Sequence, residues 1–179
     1  GSRFPPDMLG SLVYVGGLSL EEALDISGID GSVVGDELDR IGYRGVAPCP
    51  SLAPRAFVEL HIEQGPVLEV EGITIGAVTC VQGISWTEFT IEGQSNHAGT
   101  TPMHLRHDAG YAAAAIAAHV RSLALSIGDG QVATVGRLGL HPDLVNVVAG
   151  SATLTVDLRN TDEDRLLAAE DDLASFVAD

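Results

Sequence analysis

A strict alternation runs through Ala152-Thr153-Leu154-Thr155-Val156-Asp157-Leu158-Arg159. Ala152, Leu154, Val156 and Leu158 share one parity, and Thr153, Thr155, Asp157 and Arg159 share the other. Successive side chains of a strand point to opposite faces. This stretch therefore predicts a strand with one apolar and one polar face. Upstream, Ala109, Ala112, Ala113, Ile116, Ala117, Val120, Leu123 and Ala124 recur at the spacing of a single helix face. A helix with one apolar stripe and a strand with one apolar face bury each other, which constrains this half of the chain to helices layered on a sheet.

The remaining elements follow from the same periodicities. Trp86 to Glu92 alternates, with Phe89 and Ile91 against Glu88, Thr90 and Glu92. A polar loop from Gly93 to His107 leads into the helix, read from Asp108 to Leu125 and ended by Gly128-Asp129-Gly130. Gln131 to Leu138 and Ala152 to Leu158 read as strands. Thr161 opens a last helix whose first turn carries Asp162, Glu163 and Asp164 against the helix dipole. The order is β-α-β-β-α, a ferredoxin-like β-α-β-β-α-β unit lacking its last strand. Both helices must cover one sheet face, and Arg159 lies on the other, open face. Before Gly83, Ser19-Leu20-Glu21-Glu22 fits a capping box for a helix over 19–27. A second helix is read from Gly35 to Ile41, Pro48, Pro50 and Pro54 mark a loop, and Ala56 to Ile62 and Ile73 to Val81 read as strands. The fold class is thus α/β and α+β, with residues 1–82 part of one domain and 83–179 a second.

Composition excludes some functions. The net charge is −16 and every basic residue is Arg, so the chain repels phosphate backbones and argues against nucleic-acid binding. The longest unbroken apolar stretch, Tyr111 to Ala118, is shorter than the roughly 18 residues of a membrane span. No signal peptide is visible. Cys49 and Cys80 form no C-x-x-C, and a reduced cytoplasmic location is the default.

Four residues carry candidate chemistry, each with a structural alternative. His61 interrupts an apolar run beside Glu63-Gln64-Gly65, which suits a metal ligand at a strand end or a satisfied core histidine. His97 sits in Ser95-Asn96-His97-Ala98-Gly99-Thr100-Thr101-Pro102-Met103. Small neighbours there allow close approach of a substrate whose oxyanion the imidazole could meet; a plain surface connection fits the same pattern. Asn146 lies in an apolar run where its amide needs partners, or caps its own turn. Arg159 suits bidentate capture of a carboxylate, or pairs with Asp157 or the acidic helix start. His104, His107, His119 and His141 have no ligand-like spacing.

Five strings decide among these alternatives by resemblance: Gly1-Ser2-Arg3-Phe4, His61-Ile62-Glu63-Gln64-Gly65-Pro66, His97-Ala98-Gly99-Thr100-Thr101-Pro102-Met103, Asn146-Val147-Val148 and Val156-Asp157-Leu158-Arg159. In order and rough spacing, the chain resembles the hydantoinase/carbamoylase-type amidases, the group of N-carbamoyl-L-amino-acid hydrolases and allantoate amidohydrolases within the dinuclear-metal peptidases and amidohydrolases. The resemblance covers essentially the whole chain. It implies that residues 1–82 are part of a metal-dependent α/β catalytic domain and that residues 83–179 are a lid and dimerisation domain.

The resemblance further implies that His61 is a ligand of a pair of divalent ions, zinc or manganese. His97 would polarise the scissile carbonyl, often across a dimer. Asn146 and Arg159 would hold the substrate, Arg159 by its carboxylate, and Gln82 is a weaker candidate for a substrate contact. The implied partners are a small ureido-acid substrate and a second copy paired through the lid, with no nucleic acid and no membrane. The expected reaction is hydrolysis of the carbamoyl C–N bond. The family's pair of glutamates is expected directly before the Gly1 string, and its other ligands outside this sequence. The chain by itself is therefore expected to be an inactive internal piece. The competing expectation is a non-catalytic binding or dimerisation module that uses the same sheet.

Overall fold

The computed structural model describes residues 3–49 and 54–178. Gly1 and Ser2 of the first string, and Pro50 of the proline-marked loop, lie outside the described residues. The chain divides into two compact units, Gly1–Pro66 and Val67–Asp179.

Among its described residues the first unit holds three short helices, α1 (Leu9–Tyr14), α2 (Leu20–Leu24) and α3 (Val34–Arg40). The capping box forms as read. Ser19 Oγ accepts the Glu22 backbone N–H at 3.1 Å, and the Glu22 carboxylate accepts the Ser19 N–H at 3.1 Å. The helix is shorter than the 19–27 expected, ending at Leu24. Arg3 ties the unit together by donating from Nε to Asp30 at 3.0 Å and from Nη1 to Glu37 at 2.8 Å. Ala56–Ile62 forms no strand: these residues have no regular structure and are exposed, as are Ile73–Val81 in the second unit. A strand is stable only with a hydrogen-bonded neighbour and an apolar face to pack, and neither run has one among the described residues.

The second unit contains α4 (Val67–Glu71), β1 (Gly83–Glu92), α5 (Ala109–Ile127), β2 (Val132–His141), β3 (Ser151–Asn160) and α6 (Glu163–Ala178). It is mixed α/β with a three-stranded antiparallel sheet in the order β1-β3-β2. The alternation read in β3 governs the packing. Ala152, Leu154, Val156 and Leu158 are buried, while Thr153, Thr155, Asp157 and Arg159 are only partly covered. Leu154, Val156 and Leu158 meet Ile116, Val120 and Leu123 of α5 and Leu166, Ala169 and Leu173 of α6 in one core. Both helices therefore lie on the same sheet face, and the other is open.

Local chemistry sets the ends of these helices. The Asp108 carboxylate caps α5 by accepting the Gly110 and Tyr111 N–H groups at 2.9 and 3.1 Å. Asp162 caps α6 by accepting the Arg165 N–H at 3.1 Å. By length and composition α5 can cross a membrane, which the broken apolar run does not reveal; here its stripe covers the sheet. On the helical layer His119 of α5 stacks on Phe176 of α6, ring centres 3.9 Å apart, and bonds Asp172 at 2.6 Å. Buried Asn160 donates to Gln131 Oε1 at 3.0 Å and accepts the Asp162 N–H at 2.9 Å, closing the turn into α6.

Candidate functional site

The polar loop after β1 is a built turn. The antiparallel pairing of β1 with β3 continues past the sheet. The Gly93 N–H reaches the Gly150 carbonyl at 2.8 Å, the Val148 N–H reaches Asn96 at 2.8 Å, and the Ala98 N–H reaches the Asn146 carbonyl at 2.9 Å. His97 and Val147 form an isolated antiparallel bridge. Gly93 allows this path, since a Cβ there would run into the His107 carbonyl and sit 2.9 Å from the Ala109 nitrogen. Arg106 pins the turn from its other side, donating to the Thr101 carbonyl at 3.0 Å and to the Ala98 carbonyl at 2.6 Å.

This backbone brings two of the sequence-predicted residues together. His97 and Asn146 are both exposed and lie on facing segments of the extension. The His97 Nδ1 accepts the Gly99 backbone N–H at 3.0 Å. In a neutral imidazole one ring nitrogen donates and the other accepts. Occupying Nδ1 as acceptor puts the proton on Nε2, so the ring presents an N–H donor away from its own turn. The Asn146 side chain makes no hydrogen bond among the described residues and is free to take a ligand.

Arg159 is elsewhere. It stands near the end of β3, beside Ile84 of β1 and Val132 of β2 in register. The next row of the open face is Trp86, Asp157 and Thr134, and the next is Glu88, Thr155 and Arg137, where Arg137 and Glu88 form an ion pair across the sheet. Arg159 Nε donates to both Asp157 oxygens at 2.9 and 3.1 Å, and Nη2 donates to Oδ2 at 2.6 Å. The Asp157 carboxyl is held below the usual carboxylate range chiefly by the Arg159 guanidinium, with burial opposing. The structural alternative for Arg159, pairing with Asp157, is thus realised, and it leaves Nη1 without a partner among the described residues. Sequence reading did not single out Trp86; its register opposite Asp157 is the signal that finds it.

His97 and Arg159 do not meet within one chain. Arg159 pairs at the Gly83 end of the sheet and Ser151 at the Glu92 end, and His97 lies past Ser151. At about 3.3 Å per strand residue, the eight residues from Ser151 to Arg159 alone separate the two positions by roughly 26 Å.

His61 lies in exposed, irregular chain, its Nδ1 against the Ile62 carbonyl. Among the described residues no group of three or more His, Cys, Asp or Glu side chains converges as a metal site would require. The donors present do not fit a dinuclear centre. Gln82 is exposed, immediately before β1.

Comparison with known proteins gives this arrangement a family. Residues 80–179 match the peptidase dimerisation domain family, M20_dimer. The chain is 42% identical to an N-carbamoyl-L-amino-acid amidohydrolase of Rhizobium meliloti over 93% of its length and 40% of that protein. It is 41% identical to the allantoate amidohydrolase of Escherichia coli K12 over 90% of its length, again 40% of that protein. An amidase of the hydantoinase/carbamoylase family from Burkholderia multivorans superimposes with a TM-score of 0.90 at 44% identity, over 99% of this chain and 43% of that one. The chain spans about 40% of the length of these curated relatives. From Cys80 onward it is a peptidase dimerisation domain, and the chain belongs to that family, in the company of the hydantoinase/carbamoylase amidases.

Proposed function

We propose that this chain is the substrate-gripping and pairing part of a hydrolase that cleaves the ureido C–N bond of an N-carbamoyl amino acid or a related ureido acid such as allantoate. The names of its relatives support the reaction class. The observation that carries the reading is the wide separation of His97 and Asn146 from Arg159. An N-carbamoyl amino acid is about 7 Å long, the reach of two extended residues. One copy cannot grip it at both ends. A two-fold pair can, with the His97 and Asn146 of one copy facing the Arg159 of the other.

In that site the His97 Nε2–H donates to the oxygen that gains charge as the carbonyl is attacked. Asn146 holds the ureido group and Arg159 the carboxylate. The β1-β3-β2 order with both helices on one face supports a ferredoxin-like lid, and closure would complete the site. His61 is proposed to give one ligand to a pair of divalent ions, zinc or manganese, completed by residues beyond this chain. Exposed, unpaired Cys49 and Cys80 suit the reducing cytoplasm. The lack of a converging metal-ligand group among the described residues favours a second reading for this stretch by itself, a binding and pairing module without turnover.

Mixing tests the composite site. In the complete protein, His97→Ala and Arg159→Ala should each abolish most turnover of an N-carbamoyl amino acid. Co-refolded in equal amounts, they should regain about a quarter of the wild-type activity, because half the dimers are mixed and each has one intact site. No recovery on mixing, with mixed dimers present, would refute a site shared between copies.

A further inference from the structure

The guanidinium of Arg159 is already half spoken for. Its five N–H groups form two forks, one along the Nε–Nη2 side and one at the Nη1–Nη2 end. Asp157 occupies the side fork, two residues away on the same face of the same strand. Trp86 of β1 stands beside Asp157 in register on the same open face. Nothing in the described residues occupies the end fork. Ile84 and Val132 flank Arg159 in the sheet and are about half exposed, at 53% and 46%. They give the free end an apolar surround but no competing acceptor.

We propose that Asp157 is the positioning residue of this site: it holds the side fork of Arg159 so that the end fork is presented to a ligand carboxylate. The inference rests on the reading of Arg159 as a carboxylate clamp. Two effects oppose each other here. Asp157 is itself an anion near the expected ligand and repels it. It also removes the freedom of a long side chain before the ligand arrives, and ordering a flexible side chain is a recurrent cost of binding. The geometry favours the second effect, because all three contacts of the pair lie between 2.6 and 3.1 Å while the ligand's fork stays open. The sign of the effect of neutralising Asp157 therefore decides.

The experiment measures kcat and KM of the complete protein with an N-carbamoyl amino acid and with its carboxamide analogue, in Asp157→Asn and Arg159→Lys. Asp157→Asn should raise KM for the acid about fivefold, the share of one immobilised rotamer-rich side chain. Its kcat, and its KM for the carboxamide, should stay close to wild type. A lower or unchanged KM for the acid in Asp157→Asn, while Arg159→Lys still discriminates acid from carboxamide, overturns the positioning role and leaves the clamp standing. Arg159→Lys affecting both substrates equally removes the clamp and this inference together.

Discussion

The His97 imidazole accepts the backbone N–H of Gly99 through Nδ1 at 3.0 Å, and the ring lies close over Gly99. A Cβ on residue 99 would lie 3.2 Å from His97 Cε1 and 3.5 Å from Nδ1. The contact that sets the tautomer is therefore one that a Cβ on residue 99 would crowd by a few tenths of an ångström.

In the complete protein, His97→Ala should lower kcat about a hundredfold, the size of losing one oxyanion donor. Gly99→Ala should lower it about tenfold by tilting the ring off line. Because both positions are exposed, neither change should shift the melting temperature by more than a degree or two. Steady-state kinetics beside a thermal melt checks this. Wild-type kcat in His97→Ala would take the residue out of the chemistry.

Metal binding gives a second test. Tight chelation needs several converging donors, and the described residues offer only exposed His61 at the expected position. Calorimetric titration of the isolated chain with Zn²⁺ or Mn²⁺ should show no pair of sub-micromolar sites. Two such sites per chain would contradict the proposal that the centre is completed from outside it.

Much of the second unit was legible because its signals are periodic and its partners are local. The parity of Thr153 to Arg159, the Ala109-to-Leu123 stripe and the acidic start of α6 all fall where the periods put them. Ala56–Ile62 and Ile73–Val81 carry an equally apolar pattern and still form no strands. A strand is a property of two segments, and composition reports only one. The distance between His97 and Arg159 was not legible at all. Both residues could be named from their strings, but only the pairing of β1 with β3 reveals that they lie at opposite ends of the sheet. The Arg3 links to Asp30 and Glu37 span 27 and 34 residues, beyond any local rule.

Those links predict a pH response of the first unit. Ser32, with Arg3 adding, depresses the Asp30 carboxyl to about 2. Arg40 and then Arg3 depress Glu37 to about 2. Depressed carboxylates stabilise the fold above their unfolded values, near 4, and that contribution is lost as pH falls through about 2. Asp30 is solvent-exposed and Glu37 partly so, so the effect on stability is small. Carboxyl carbon NMR should place both midpoints well below 3.5, a depressed midpoint for either residue type. Ser32→Ala should raise the Asp30 midpoint more than Arg3→Met does. Midpoints near 4 for both in the wild type would show that the ion pairs do not persist in solution.

β2 is an edge of the sheet, interrupted by a register shift between Val135 and Arg137. An edge strand carries unpaired N–H and C=O groups that invite a partner strand. On it Leu138 and Leu140 belong by register to the helix-covered face, yet stay 46% and 40% exposed because the edge is not fully covered. Leu144 and Val145 extend this apolar rim into the loop that carries Asn146. A second copy is the partner supported by membership of a dimerisation family. Opposing it is a net charge of −16 on each chain, whose mutual repulsion is screened beyond about 8 Å at physiological salt and much less at low salt. Association of the chain should therefore tighten as NaCl rises from about 10 to 150 mM, the reverse of an interface held by opposite charges. Leu138→Glu should weaken it at every salt concentration, since it adds charge to the seam and removes apolar area. Light scattering or sedimentation across that range reads both effects. A monomer at high concentration in 150 mM salt would break the link between this edge and the composite site, and His97 and Arg159 would then need another route to a common substrate.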